Sequence, residues 1–161
     1  MNDYSHIIYV LGAMILFGTF ALHTNHSMVS NEKRAFLNAV QSEAVDLGET
    51  VIRQSMILPF DLNTIDEPLP NMDPSHLRPF SSFGLPEGHT KPRVFDDYHN
   101  FDWVLSGIYG DFHISSIVTY ADNSSPPQPV AHKTLRKMLV VTIDHESLDT
   151  PLTLRYLRSY H

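Results

Sequence analysis

The sequence predicts an α+β protein, a long N-terminal helix packed against a small C-terminal antiparallel β-sheet. Three observations predict it. Residues 7–22, IIYVLGAMILFGTFAL, contain no Asp, Glu, Lys or Arg, and Asp3 is the only such residue before Glu32. Between residues 29 and 58 apolar side chains recur at helical steps, and no proline occurs before Pro59. Beyond residue 93 the apolar pattern changes to alternation, the period of a strand.

The first element is an apolar helix over about residues 5–23, close to the roughly 17–25 residues needed to cross a bilayer. It is apolar on every side, so lipid or other protein must cover it. It reads as a retained anchor rather than a cleaved signal. The leading MNDYSH lacks a basic residue, and His23-Thr24-Asn25-His26 follows where a small-x-small site would stand. Lys33 and Arg34 come after the span, so charge bias gives no firm orientation.

The helix continues as an amphipathic stem to residue 58. Val29, Phe36, Val40, Ala44, Leu47, Val51 and Leu58 form one stripe, while Glu32, Asn38, Gln41, Glu43, Asp46, Glu49 and Arg53 fill the other faces. Of that stripe, Phe36, Val40, Leu47 and Val51 are expected to pack the stem on the head. Weak helix formers near Gly18 and across residues 23–30 suggest a kink or a short unwound stretch. Leu58-Pro59 ends the helix, because a residue before proline is pushed out of the α region.

Residues 59–93 hold seven of the eleven prolines and read as an irregular connector. Its Phe60, Leu62, Leu69, Leu77, Phe80, Phe83 and Leu85 imply that it packs rather than floats. Residues 94–161 form the head, an antiparallel meander of three or four strands. In 111–121, Phe112, Ile114, Val118 and Tyr120 share a face with Ile117 opposite. In 135–144, Leu135, Lys137, Leu139, Val141 and Ile143 share a face. In 152–160, Leu152, Leu154 and Tyr156 do so. A head of this size has little core alone, so docking on the stem is expected.

Composition removes several function classes. Eleven Lys plus Arg against eighteen Asp plus Glu give a net charge of −7, so no nucleic acid partner is expected. There are no cysteines, which excludes disulfides, thiolate metal sites and cysteine nucleophiles. No G-x-S-x-G elbow, H-E-x-x-H helix or glycine-rich phosphate loop occurs, so no enzyme activity and no cofactor are expected. Asp96, Asp97 and Asp102 form the densest carboxylate group and are weak candidates for Ca²⁺, but a turn and cap cluster is the expected reading. Asp61-x-Asn63-x-x-Asp66-Glu67 has Asp66 where a calcium loop needs glycine. His23 and His26 have no partner at ligand spacing and read as interfacial histidines.

Taken in order, the apolar helix, amphipathic extension, irregular connector and C-terminal sheet resemble type IV pilins and pseudopilins. The nearest local resemblance is to minor pilins of the mannose-sensitive haemagglutinin pilus type. It rests on Val94-Phe95-Asp96-Asp97-Tyr98-His99-Asn100-Phe101, on Met138-Leu139-Val140-Val141-Thr142-Ile143 and on the closing Leu152–Tyr160 stretch. Where pilins carry glutamate at the fifth mature position this chain has Ser5, and Asp3 is the only nearby carboxylate.

The resemblance implies a structural subunit of an extracellular filament, stored in the inner membrane before assembly. Its partners would be copies of itself, other pilin-like subunits and assembly machinery. Ile7, Ile8, Val10, Leu11, Met14, Ile15, Phe17 and Phe20 would form the shared filament core. The competing expectation is a single-pass accessory or binding subunit of an envelope or secretion complex. A surface adhesin using Tyr98, Trp103 or Tyr109 is a third.

Overall fold

The computed structural model describes residues 3–65 and 73–160, with the side chains of Asp3 and Ser5 left out. A helix, α1, spans Asp3–Met56. Four 3-10 turns follow, at Leu62–Thr64, Pro74–His76, Phe80–Ser82 and Phe95–Tyr98. The strands are β1 (Phe101–Gly107), β2 (Gly110–Ala121), β3 (Pro129–Val130), β4 (Arg136–Asp144) and β5 (Leu152–Ser159). The fold is α+β, a long N-terminal helix and a small antiparallel sheet. The chain divides into two compact units, Met1–Ala39 and Val40–His161, so the boundary falls inside α1 rather than at its end.

In the first unit α1 is uninterrupted, so the short unwound stretch expected near Gly18 or across residues 23–30 is not formed. Glycine and serine cost a helix interior about 1 kcal/mol or less each, and no proline is present to remove a hydrogen bond. Phe36 lies in this unit and is 44% exposed. Of the four residues expected to pack the stem on the head, Val40, Leu47 and Val51 belong to the second unit and its core, and Phe36 lies in the first unit.

In the second unit the sheet order is β1-β2-β4-β5, all antiparallel, with β3 paired to the end of β2. The register sets Leu105 opposite Phe112, Ile114 opposite Ile143 and Val141 opposite Leu154. One face therefore carries Phe112, Ile114, Val118, Leu139, Val141 and Ile143, all buried against Val40, Ala44 and Val51 of α1. Ile117 points the other way and is exposed. These are the faces expected from alternation.

Gly48 lets helix and sheet approach. A Cβ there would lie 2.5 Å from Leu154 Cδ1 and 2.8 Å from Ile143 Cδ1. Gly48→Val is expected to lower stability by about 1–3 kcal/mol through overpacking. A lower urea midpoint for the detergent-solubilised variant would show it; an unchanged midpoint would mean the contact yields freely.

The β1–β2 hairpin turns at Ile108 and Tyr109, and both backbone N–H groups donate to Glu43, at 2.7 and 3.2 Å. Gly107 clears the way, since a Cβ there would meet Glu43 Oε1 at 2.5 Å. Glu43→Ala is expected to cost about 1 kcal/mol and to speed amide exchange at Ile108 and Tyr109. Unchanged exchange at both amides would contradict this role.

The connector is irregular yet held. Asp61 caps the first 3-10 turn by accepting from Asn63 N at 3.0 Å, and Asp73 caps the second by accepting from Ser75 N at 2.9 Å. Phe60 and Leu77 are buried with Tyr120 in a second small core flanked by Phe83, Val130, Leu135 and Tyr160. Phe95 N donates to Pro59 O at 3.0 Å. Arg158 reaches the end of α1, donating to Ser55 O at 3.1 Å and satisfying a carbonyl that a helix terminus leaves open.

Candidate membrane and assembly surface

Residues of an α-helix are spaced about 100° apart, so Ile7, Ile8, Val10, Leu11, Met14, Ile15, Phe17 and Phe20, with Tyr9 and Leu16, surround α1 on every side. All are exposed; among the eight, exposure runs from 55% at Ile7, Val10 and Leu11 to 75% at Phe17. None of the most apolar 18-residue stretch of the helix is buried. A core helix of a soluble protein has a covered face, and this segment has none. The helix is long and apolar enough to cross a membrane and to serve as an anchor.

Its backbone suits that environment. An uninterrupted helix satisfies its own N–H and C=O groups, the condition for entering lipid. Thr19, one of the two hydroxyls in residues 7–22 with Tyr9, donates to Leu16 O at 2.9 Å. His6 stands before the apolar stretch, and His23 and His26 after it, all exposed.

The second chemistry-bearing constellation lies inside the head. Lys137, on the apolar face of β4, is fully buried between two carboxyls. Its Nζ lies 2.7 Å from Asp61 Oδ2 and 2.6 Å from Asp96 Oδ1, and donates to Phe60 O at 3.1 Å. The rings of Phe60, Phe83 and Tyr120 enclose it, with centroids at 4.4, 5.0 and 5.4 Å. Burial works against ionisation of Asp61. The Lys137 charge and the donors Lys137, Asn63 N and Arg78 N outweigh it and hold Asp61 below the usual carboxylate range. Burial pushes Asp96 up to about 7, against the pull of Lys137 and helped by the nearby Asp61.

The three aspartates considered for Ca²⁺ occupy three environments. Asp96 faces Lys137. Asp97 folds back to accept from Arg93 N at 2.8 Å and Val94 N at 3.2 Å, with Arg78 Nη1 at 3.7 Å from its other oxygen. Asp102 is exposed on β1. They do not converge on one point, so the turn-and-cap reading describes Asp97. Among the described residues no group of three His, Cys, Asp or Glu side chains is placed to hold a metal ion. Asp66 and Glu67 lie outside the described residues.

The aromatics considered for an adhesin occupy three different environments. Tyr98 is buried, Trp103 is half-buried against the core and Tyr109 is exposed. No protein-family model, curated protein or solved structure matches this chain.

The sequence reading missed the Lys137 cluster, although it placed Lys137 between Leu135 and Leu139 on the shared apolar face of a strand. That placement was the available signal: a lysine on an apolar face demands a buried counter-charge.

Proposed function

We propose that this chain is a structural subunit of a type IV pilus-like filament, held in the inner membrane by residues 5–23 before assembly. One observation carries the proposal. A single helix is bare and apolar on all sides over its first part and supplies the head's own core from Val40 to Val51. A bilayer suits such a surface, and so does a bundle of identical helices, because lipid tails and neighbouring side chains are equally apolar. Contacts repeated head to tail without closing produce a helical fibre. In this reading Ile7, Ile8, Val10, Leu11, Met14, Ile15, Phe17 and Phe20 exchange lipid for one another. The head and connector coat the outside, and no catalysis is assigned to them.

The test is to shear cells that express the chain and image the supernatant after labelling the head with antibody. Labelled fibres are the expected result. Chain found only in the membrane, at fixed stoichiometry with other envelope proteins, would overturn the filament reading and leave a single-pass accessory subunit.

A further inference from the structure

The geometry points to a covalent cross-link inside the head: Lys137 Nζ joined to the Asp96 side-chain carboxyl carbon as an intramolecular isopeptide, with Asp61 as the proton acceptor. The reacting groups are already in place. Nζ lies 2.6 Å from Asp96 Oδ1, and the carboxyl carbon is one bond beyond that oxygen. Asp61 Oδ2 lies 2.7 Å from the same nitrogen and accepts its hydrogen bond. All three side chains are fully buried within the cage of Phe60, Phe83 and Tyr120.

The two carboxyls differ, and the difference assigns their roles. Asp61 accepts hydrogen bonds from Asn63 N, Arg78 N and Lys137, which stabilise a carboxylate. Asp96 has no backbone N–H donor of the kind that holds Asp61, and Lys137, 2.6 Å from Oδ1, is the cation beside it. A fully buried carboxyl with no backbone donors is pushed toward its neutral acid form. An amine attacks the neutral acid, whereas an ionised carboxylate repels the incoming electron pair. The elevation of Asp96 to about 7 agrees with this assignment.

The step balances without any added reagent. The Asp61 carboxylate takes one proton from the Lys137 ammonium, freeing the nitrogen lone pair. Nζ attacks Asp96 Cγ and the C–N bond forms. Protonated Asp61 returns its proton to the departing Asp96 hydroxyl, the C–O bond breaks, and water leaves. The remaining excess proton on nitrogen passes to Asp61, which ends as the neutral acid. An ammonium, a carboxylate and an acid have become an amide, a water and an acid. Fixing amine and carboxyl in contact raises their effective concentration far above that of free groups. With no exposed surface on the three side chains, bulk water has no direct access to reverse the reaction. The bond would tie the Phe95–Tyr98 turn to β4, and it stands whether or not the chain forms filaments.

Intact mass spectrometry of the detergent-solubilised full chain tests it. The expected mass is one water below that of the sequence counted from its observed N-terminus. A tryptic digest should contain one peptide pair joined through Asp96 and Lys137. Lys137→Met and Asp96→Ala should carry their full masses. Asp96→Asn should form the same bond with loss of ammonia. Asp61→Asn should slow cross-linking about 100-fold or more, the usual scale for a lost general base. A folded wild-type chain of full mass would overturn the proposal, as would a water loss mapping elsewhere. A Lys137–Asp61 pair would overturn the assigned roles. The wild-type measurement decides the matter even if a variant fails to fold.

Discussion

Relative to the chain before any cross-link, Lys137→Ala should cost the head about 3–5 kcal/mol at neutral pH, the scale for stranding a buried charge by removing its partner. Such a loss is a large fraction of the 5–15 kcal/mol that typically holds a domain folded. The variant leaves two carboxyls, Asp61 and Asp96, facing an emptied cage with no counter-cation. It also removes a donor from Phe60 O and opens a cavity among Phe60, Phe83 and Tyr120. The pH dependence separates the electrostatic part from the cavity. Asp96 is already raised from 3.8 to about 7 by burial with Lys137 present, and losing that cation removes a force that lowers it. The folded variant therefore keeps a proton on Asp96 where the unfolded chain has released it. Stability linked to this group is fully present below about 3.8 and is lost as pH rises through 7 and beyond. Denaturant unfolding of the variant should accordingly give a higher midpoint at about pH 5 than at about pH 8. A deficit equal at both values would assign the whole effect to the cavity.

That cluster also marks where reading the sequence stops short. The alternation of Phe112, Ile114, Val118 and Tyr120, and of Leu139, Val141 and Ile143, assigned the buried faces of β2 and β4, since a strand's side chains have only two directions. The same alternation put Lys137 on the inner face. What it could not supply was the partner: Asp61 lies 76 residues earlier, in a connector with no periodic pattern. Its carboxylate reaches Lys137 only because a 3-10 turn and the Arg78 amide hold it there. β1 was less legible for a different reason. Trp103 and Leu105 face inward, but Val104 and Ile108 are exposed apolar residues that blur the alternation. The apolar span was the plainest feature, because its character resides in composition alone and needs no tertiary partner.

Met14→Asp is expected to remove the chain from fibres while leaving the head intact. Met14 sits within the apolar span of α1 and is 67% exposed, so no side chain among the described residues buries a charge placed there. A carboxylate at the centre of a membrane helix costs about 2.5–3.5 kcal/mol on insertion scales. In a bundle of identical helices the cost recurs at every subunit, and like charges on neighbouring copies repel in a dry interior. Both core clusters of the head are drawn from residues 40 onward, so thermal unfolding of the head should match the wild type. Two measurements make the test: fibres counted in sheared supernatants, and the head's melting transition in detergent. Met14→Leu supplies the control, since it keeps an apolar side chain of similar volume and should assemble normally. Normal fibres from Met14→Asp would mean that residue 14 faces water in the assembled state, and the apolar helix could not then be the filament's core. Loss of fibres together with a lowered head transition would point instead to general misfolding, and the assembly argument would lose its support.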